Sequence, residues 1–561
     1  MKTLVLLILC LLAFAPSQDY LQNVLRLSGA SSIEELGPRQ LEHYENLYEH
    51  PLDINRCSLS RLQESELFSD LQLALLLDYR QRCGSLLSLA ELAAIPGMGE
   101  QFALDIGPFI VFGDERTAQR PRERRLLLKQ QMRIGIKASA VSTAFKSELS
   151  LEPGLRTLIS ADASGLQALI LCYEGRRLSK VLAGNFNGRF GQGLLLWSGF
   201  SLNSLSSAAA FSKKASLLSP SNSLSAEGSL RGIGAQLSLG RWSLNALATR
   251  EMAYSYAGCL LSRSSLGAGL MFNENWLGAS ADAKTTLGKF TLFAEGALQL
   301  PLSLVRGETA AQAIVSSALV AGCYYNIGYL RRLALQLRLY APSFDSRYSG
   351  ASRAWSKNCD ENAIALALDW GGLKMASDWS IRPYAGDRQW KSQLDYSRDF
   401  ALGTWLLRPA LRFQSRIRAL DANPARLELR TDLSLLKASW QVDLRLHALH
   451  CKGASGLVYL QVSRSGEKAL LSARASVFAV DSWDKRIYAY ARDVPGTFSV
   501  PAYYGRGCEF ALYGRYRNIA FRLAGTHYFR GSRSDGLEFK LYLDMQRFFD
   551  KSHLSKGLDK Y

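Results

Sequence analysis

The chain has 561 residues and a formal net charge of +18, from 67 Lys and Arg against 49 Asp and Glu. That length exceeds one ordinary soluble domain, and 48% apolar with 21% charged residues is not a disordered composition. Nine cysteines without a CxxC pair or a His/Cys cluster at zinc spacing exclude a zinc ribbon.

The N-terminus carries Lys2, a continuous apolar run from Leu4 to Leu12 and small residues at Ala13-Phe14-Ala15, a signal-peptide pattern over residues 1–17. No later segment offers about 20 uninterrupted apolar residues for a membrane helix. The nearest, Ala310 to Leu330, is broken by Gln312, Ser316, Ser317 and Asn326 and reads as two adjacent strands. The cysteines beyond the signal read as independent semi-buried thiols, with Cys57 and Cys83 the one pair an oxidising compartment could join.

Residues 19–50 read as a short helical lead-in, and residues 51–114 as a small all-α module. Within it, Ala93-Ala94-Ile95-Pro96-Gly97-Met98-Gly99-Glu100-Gln101-Phe102-Ala103 has the order hydrophobic-Pro-Gly-hydrophobic-Gly, then Ala where two helices cross. Two glycines let a hairpin backbone turn tightly and approach a phosphate, and the amides that open the second helix face that anion. Upstream, Pro51-Leu52-Asp53-Ile54-Asn55-Arg56-Cys57-Ser58 places Ser58 to cap a helix near Leu59. With Asp78-Tyr79-Arg80-Gln81-Arg82-Cys83-Gly84 and Leu89-Ala90-Glu91-Leu92, this stretch resembles the tandem helix-hairpin-helix domain of the periplasmic DNA receptor of bacterial competence. The resemblance implies two hairpins and contact with DNA.

Two departures weigh against DNA. The first hairpin, Leu67-Phe68-Ser69-Asp70-Leu71-Gln72, has no glycine and sets Asp70 where a phosphate would dock. From Pro38 to Gly113 there are 11 acids, 5 arginines and no lysine. Duplex affinity is dominated by phosphate neutralisation, so an acidic module is a poor unaided binder. The nearest cations are in the basic linker 115–125 and just beyond it. The candidate contact set for phosphate, DNA or a protein partner is therefore Pro96, Gly97, Met98, Gly99 and Gln101 with Arg116, Arg120, Arg122, Arg124, Arg125 and Lys129.

From Leu126 the hydrophobic period is two. Leu427, Leu429, Leu433 and Leu435 alternate with Arg426, Glu428, Arg430, Asp432 and Ser434; Trp440, Val442, Leu444 and Leu446 alternate with Gln441, Asp443, Arg445 and His447; Leu333, Leu335, Leu337 and Leu339 alternate with Arg332, Gln336 and Arg338. A final strand through Phe539, Leu541, Leu543 and Met545 ends at Phe548-Phe549. This is the pattern of an antiparallel transmembrane β-barrel over residues 126–549, followed by a polar tail, 550–561. At about 9 to 11 residues per strand and as many per connection, that length predicts on the order of 16 to 22 strands. Ser201 to Ser229, with 11 serines, reads as a long external or infolded loop.

The glycines in Gly184-Asn185-Phe186-Asn187-Gly188-Arg189-Phe190-Gly191-Gln192-Gly193-Leu194 lie between strand-like segments, so bulges or close strand approach explain them better than a phosphate loop. This segment, with Trp483-Asp484-Lys485-Arg486-Ile487-Tyr488-Ala489-Tyr490, Asp493-Val494-Pro495-Gly496-Thr497-Phe498-Ser499 and Tyr503-Tyr504-Gly505-Arg506-Gly507, resembles a Bacteroidota family. Members of that family join an N-terminal helix-hairpin-helix domain to an outer-membrane barrel.

The six histidines form no metalloprotease helix pattern, and there is no G-x-S-x-G elbow or P-loop. The expectation is a non-enzymatic barrel of the cell outer membrane, without cofactor or metal. It would be a channel or surface-assembly component with a periplasmic or lumen-plugging helical module. Expected partners are outer-membrane lipid, lipopolysaccharide and a periplasmic protein. The second reading is DNA binding or uptake through the second hairpin.

Overall fold

The computed structural model describes residues 20–113 and 126–549, apart from 138–139, 152–153, 176–177, 200–206, 222–227, 262, 303–314, 346, 421–424, 467, 498–499 and 530–533. The signal pattern, the linker residues 115–125 and the tail 550–561 lie outside the described residues.

Residues 20–113 form one helical unit. Its helices are α1 (Leu21–Ser28), α2 (Pro38–Glu49), α3 (Leu59–Glu64), α4 (Asp70–Cys83), α5 (Leu89–Ala94) and α6 (Glu100–Ile106), with a 3₁₀ turn at Ile33–Glu35. Serines start three of them: the Ser58, Ser69 and Ser88 hydroxyls accept from the amides of Arg61, Gln72 and Glu91. Each such cap is worth about 1 kcal/mol. A two-residue parallel pairing, Leu52–Asp53 with Ile110–Val111, ties the unit's middle to its end. Val24, Leu27, Tyr44, Leu62, Leu92, Phe102 and Phe109 share one core, so the lead-in and the module pack as a single body.

The rest is a closed antiparallel barrel of 24 strands. First and last strands close it in unbroken register, from Leu126 opposite Phe549 to Lys137 opposite Glu538. The expected 16 to 22 strands is too low because many connections take only two residues, as at Gly240-Arg241, Gly288-Lys289, Tyr329-Leu330 and Gly371-Gly372. Likewise Ala310 to Leu330 supplies one described strand, Ser316–Gly328, rather than two.

The alternation sorts side chains to the two faces as expected. On Arg331–Tyr340, Leu333, Leu335, Leu337 and Leu339 are exposed outward while Gln336 and Arg338 are 0% exposed inside. Such an apolar exterior on a sheet with no free edge is that of an outer-membrane β-barrel. Trp242, Phe290, Trp370, Trp405, Trp440 and Tyr516 are exposed beside the short turns of one end. There Arg331, Lys437, Arg464 and Arg517 stack on Trp370, Trp405, Trp440 and Tyr516. The opposite end carries the long connections 190–229, 341–360 and 481–504.

Candidate functional site: an occupied lumen

The helical unit sits inside the barrel. Six of its glutamates pair with inward cations of the wall. Glu35 meets Arg412 at 2.9 Å, Glu42 meets Lys146 at 3.1 Å and Glu64 meets Lys180 at 3.1 Å. Glu34 meets both Arg445, at 2.5 Å, and Arg430, at 3.3 Å, while Glu49 pairs with Arg515 and Glu66 with Arg189. The acidic balance that argued against DNA is thus the complement of a basic lumen.

Burial sets the energetics. Burial alone would raise the Glu34 carboxyl, but Arg445 and Arg430 hold it well below the usual carboxylate range. Glu64 is likewise raised by burial, yet Lys180, Arg61 and Arg156 bring it down to about 2. Glu45, half-buried on α2, goes the other way: burial, then the charges of Glu49 and Glu42, push it up to about 8 against the pull of Arg515. Burial and the Lys129 ammonium hold His50 below its ordinary value, and its neutral ring accepts from Lys129 Nζ at 2.9 Å.

Depth is fixed by the short-turn end. Phe102 of α6 packs edge-on against Tyr329 of the Tyr329-Leu330 turn, and Lys374, second in its strand after Gly371-Gly372, donates to Ala30 O. From the other end the 190–221 connection folds inward. Ser207 donates to Gly29 O, Lys214 to Leu27 O and Glu66 O, and Gln336 to Phe211 O. Of the two readings of the serine-rich stretch, the infolded loop fits its described part. The 481–504 connection also reaches the lumen, where Tyr490 N donates to Glu34 at 3.0 Å. A cavity of ≈2580 Å³ remains between the helical unit and the wall.

The glycine run has two structural uses. Gly184, at φ +107, is where the strand Leu178–Arg189 leaves its neighbour Gly165–Tyr173; beyond it the strand pairs with Leu217–Pro220. A Cβ at Gly184 would lie 1.7 Å from Leu169 O. Further on, the amides of Gln192 and Leu194 donate to Glu295 Oε2 at 2.5 and 3.2 Å. The glycine-rich turn therefore does cradle an acid's oxygen, but it belongs to the carboxyl group of a wall glutamate and not to a phosphate.

Residues Pro96 to Gly99 form the turn between the short helices α5 and α6. Gly97 and Gly99 have φ of 81° and 80°, Met98 is buried in the unit's core, and Pro96, Gly97, Gly99 and Gln101 are exposed. Gly97 O accepts from Gln72, and Gln101 is held by Asp105. In the glycine-free first hairpin Glu66 itself takes the left-handed conformation, φ 56°, and pairs with Arg189. Lys129 is not gathered to the second hairpin; it lies in the wall, buried, with His50 and with Asp544 at 4.0 Å. Arg116, Arg120, Arg122, Arg124 and Arg125 lie outside the described residues. The lumenal arginines were missed as a set, although each stands at an inward position of an alternating strand.

No family model and no curated protein matches the chain. Among solved structures it is similar to the translocation pore of the P pilus usher PapC, with TM-score 0.41 and 9% identity over 75% of this chain and 99% of that one. It is also similar to Pseudomonas aeruginosa OccK5, with TM-score 0.31 and 10% identity over 76% and 98%, and to OprD of the same organism, with TM-score 0.31 and 8% identity over 76% and 95%. The likeness extends to the barrel form and no further.

Proposed function

We propose that this chain is a plugged, non-enzymatic outer-membrane channel or surface-assembly component, closed at rest by its own helical unit. The observation that carries this is the set of ion pairs joining six glutamates of residues 20–113 to seven cations of the wall. A seat made of many charge pairs, with a water-accessible cavity around it, is held by interactions that a competing partner or ion can replace one at a time. Barrels of this kind keep short turns in the periplasm and long loops outside. On that rule the helical unit fills the periplasmic mouth, and Pro96, Gly97, Gly99 and Gln101 face the periplasm, open to a protein partner.

The test is conductance in planar bilayers. The full chain is expected to conduct rarely, and a chain lacking residues 20–113 to show large, frequent openings. A truncated barrel that is folded and never conducts would sink the reading. The nucleic-acid alternative rests on the exposed hairpin and on the linker arginines Arg116, Arg120, Arg122, Arg124 and Arg125, which lie outside the described residues, because Lys129 and the lumenal cations named above are committed to other groups. It requires duplex retention by the full chain that weakens steeply with salt.

A further inference from the structure

Three arginines of the lumen wall are built alike. Arg412, Arg430 and Arg445 stand on the adjacent strands Trp405–Arg418, Ala425–Lys437 and Trp440–His450, all pointing inward and each about nine-tenths buried. Each has its Nε beside a carboxylate of the wall itself: Arg412 at 2.5 Å from Asp395, Arg430 at 2.9 Å and Arg445 at 2.5 Å from Asp432. Each then offers its Nη1 to the lumen. In Arg412 and Arg445 the Nε contact is a hydrogen bond, whereas in Arg430 it is a charge contact only; a guanidinium held along one edge in this way presents its other edge to an incoming oxyanion.

The wall pays for that arrangement. Arg412 and Arg430 are direct cross-strand partners, and like charges directly opposite one another destabilise a sheet. Two strands on, Arg474 lies over Tyr459 at 4.1 Å with Nε and Nη2 on Gln461. Its buried Nη1, like Nη2 of Arg412, has no hydrogen-bond partner among the described residues. Asp443, the next wall acid, makes its contacts with Ser434, Gln441 and Gln461.

What now fills the place is the 3₁₀ turn Ile33–Glu35. One Glu34 oxygen receives Arg445 Nη1 and the Tyr490 amide, the other receives Arg430 Nη1, and Glu35 takes Arg412. The ligand set around that carboxylate, two guanidiniums and a backbone amide, is complete. Arg430, Arg445 and Arg474 all border the cavity.

We propose that Arg412, Arg430, Arg445 and Arg474 form a lumenal site for small solutes bearing carboxylate or phosphate oxygens, which Glu34 and Glu35 occupy as an internal stand-in. This deepens the plugged-barrel reading and rests on it. Such a solute and the helical unit exclude one another, so arrival of the solute favours the unseated state.

The test reads binding, not conduction, so a barrel that never conducts would overturn the channel reading without deciding this one. Citrate and inorganic phosphate are titrated calorimetrically into the detergent-solubilised full chain and its Glu34→Gln/Glu35→Gln variant, with barrel folding checked by heat-shifted gel mobility. The variant is expected to bind at least one of the two at least tenfold more tightly than the parent, and to lose that gain when Arg430→Gln and Arg445→Gln are added. As a second arm, proteolysis of the helical unit in the unaltered chain is expected to accelerate in citrate or phosphate but not in sodium chloride of equal ionic strength. A folded variant that binds neither anion overturns the proposal. So does an unaltered chain whose proteolysis responds only to ionic strength, if the variant fails to fold.

Discussion

Lys180→Met is the sharpest single perturbation of the seat. Lys180 is 1% exposed, and its Nζ donates to Glu64 Oε2 at 3.1 Å and to Leu218 O at 2.9 Å, linking α3 to the wall and to the infolded Leu217–Pro220 segment. Methionine keeps the length and most of the volume but removes the charge. The cations around Glu64 overcome its burial and bring its carboxyl from 4.5 to about 2, which at 1.36 kcal/mol per pH unit is on the order of 3 kcal/mol. Lys180 is the largest of these favourable contributions, while Arg61, 3.5 Å from Glu64, remains in the variant. The seat should therefore weaken by about 2 kcal/mol, which is roughly 30-fold in the ratio of seated to unseated molecules. Hydrogen exchange of α3 and opening frequency in bilayers should both rise by about that factor. Adding Glu64→Gln should cost much less in the variant than alone, since the coupled charge is already gone. If Lys180→Met stays within twofold of the parent in both assays while the barrel is folded, the seat is not held electrostatically.

Glu295→Ala removes the acceptor of the Gln192 and Leu194 amides. A buried donor left without its acceptor costs about 1–3 kcal/mol, so the 190–221 connection should become more sensitive to protease with the barrel intact. Gly184→Val places a Cβ on Leu169 O in a backbone conformation that valine resists, and should abolish the heat-resistant barrel band in gels. The seat should also loosen with rising pH: a carboxyl whose folded value exceeds its free value binds its proton more tightly when folded. Stability therefore falls between about 4.5 and about 8 as Glu45 ionises, and protease protection measured across that range should lose the dependence in Glu45→Gln.

The barrel was legible in the sequence because a period of two, sustained over strand after strand, has few other uses. The alternation of Leu333–Leu339 against Gln336 and Arg338 is enough by itself to assign both faces of that strand. The second hairpin was equally plain, since Gly97 and Gly99 satisfy a local backbone requirement. Strand number was not, because it depends on how tightly each turn closes. The seat itself was hidden. Glu34 and Arg445 are far apart in the chain, and nothing local marks them as partners. The excess of acid before Gly113 and of base after it were two halves of one fact, visible only once the first was found inside the second. The same holds for Glu295, whose partner amides belong to a turn on another strand.

The seam that closes the barrel joins Leu126–Lys137 to Gly536–Phe549, so it forms only after the whole chain has been delivered. The helical unit, complete by residue 113, precedes every wall strand and is tethered directly to the first of them. Chain order thus sets a domain studded with Glu34, Glu35, Glu42, Glu49, Glu64 and Glu66 ahead of every cationic strand. On the plugged reading proposed above, a wall assembled in that order would close on its own counter-charge, with the helical unit as its mandrel.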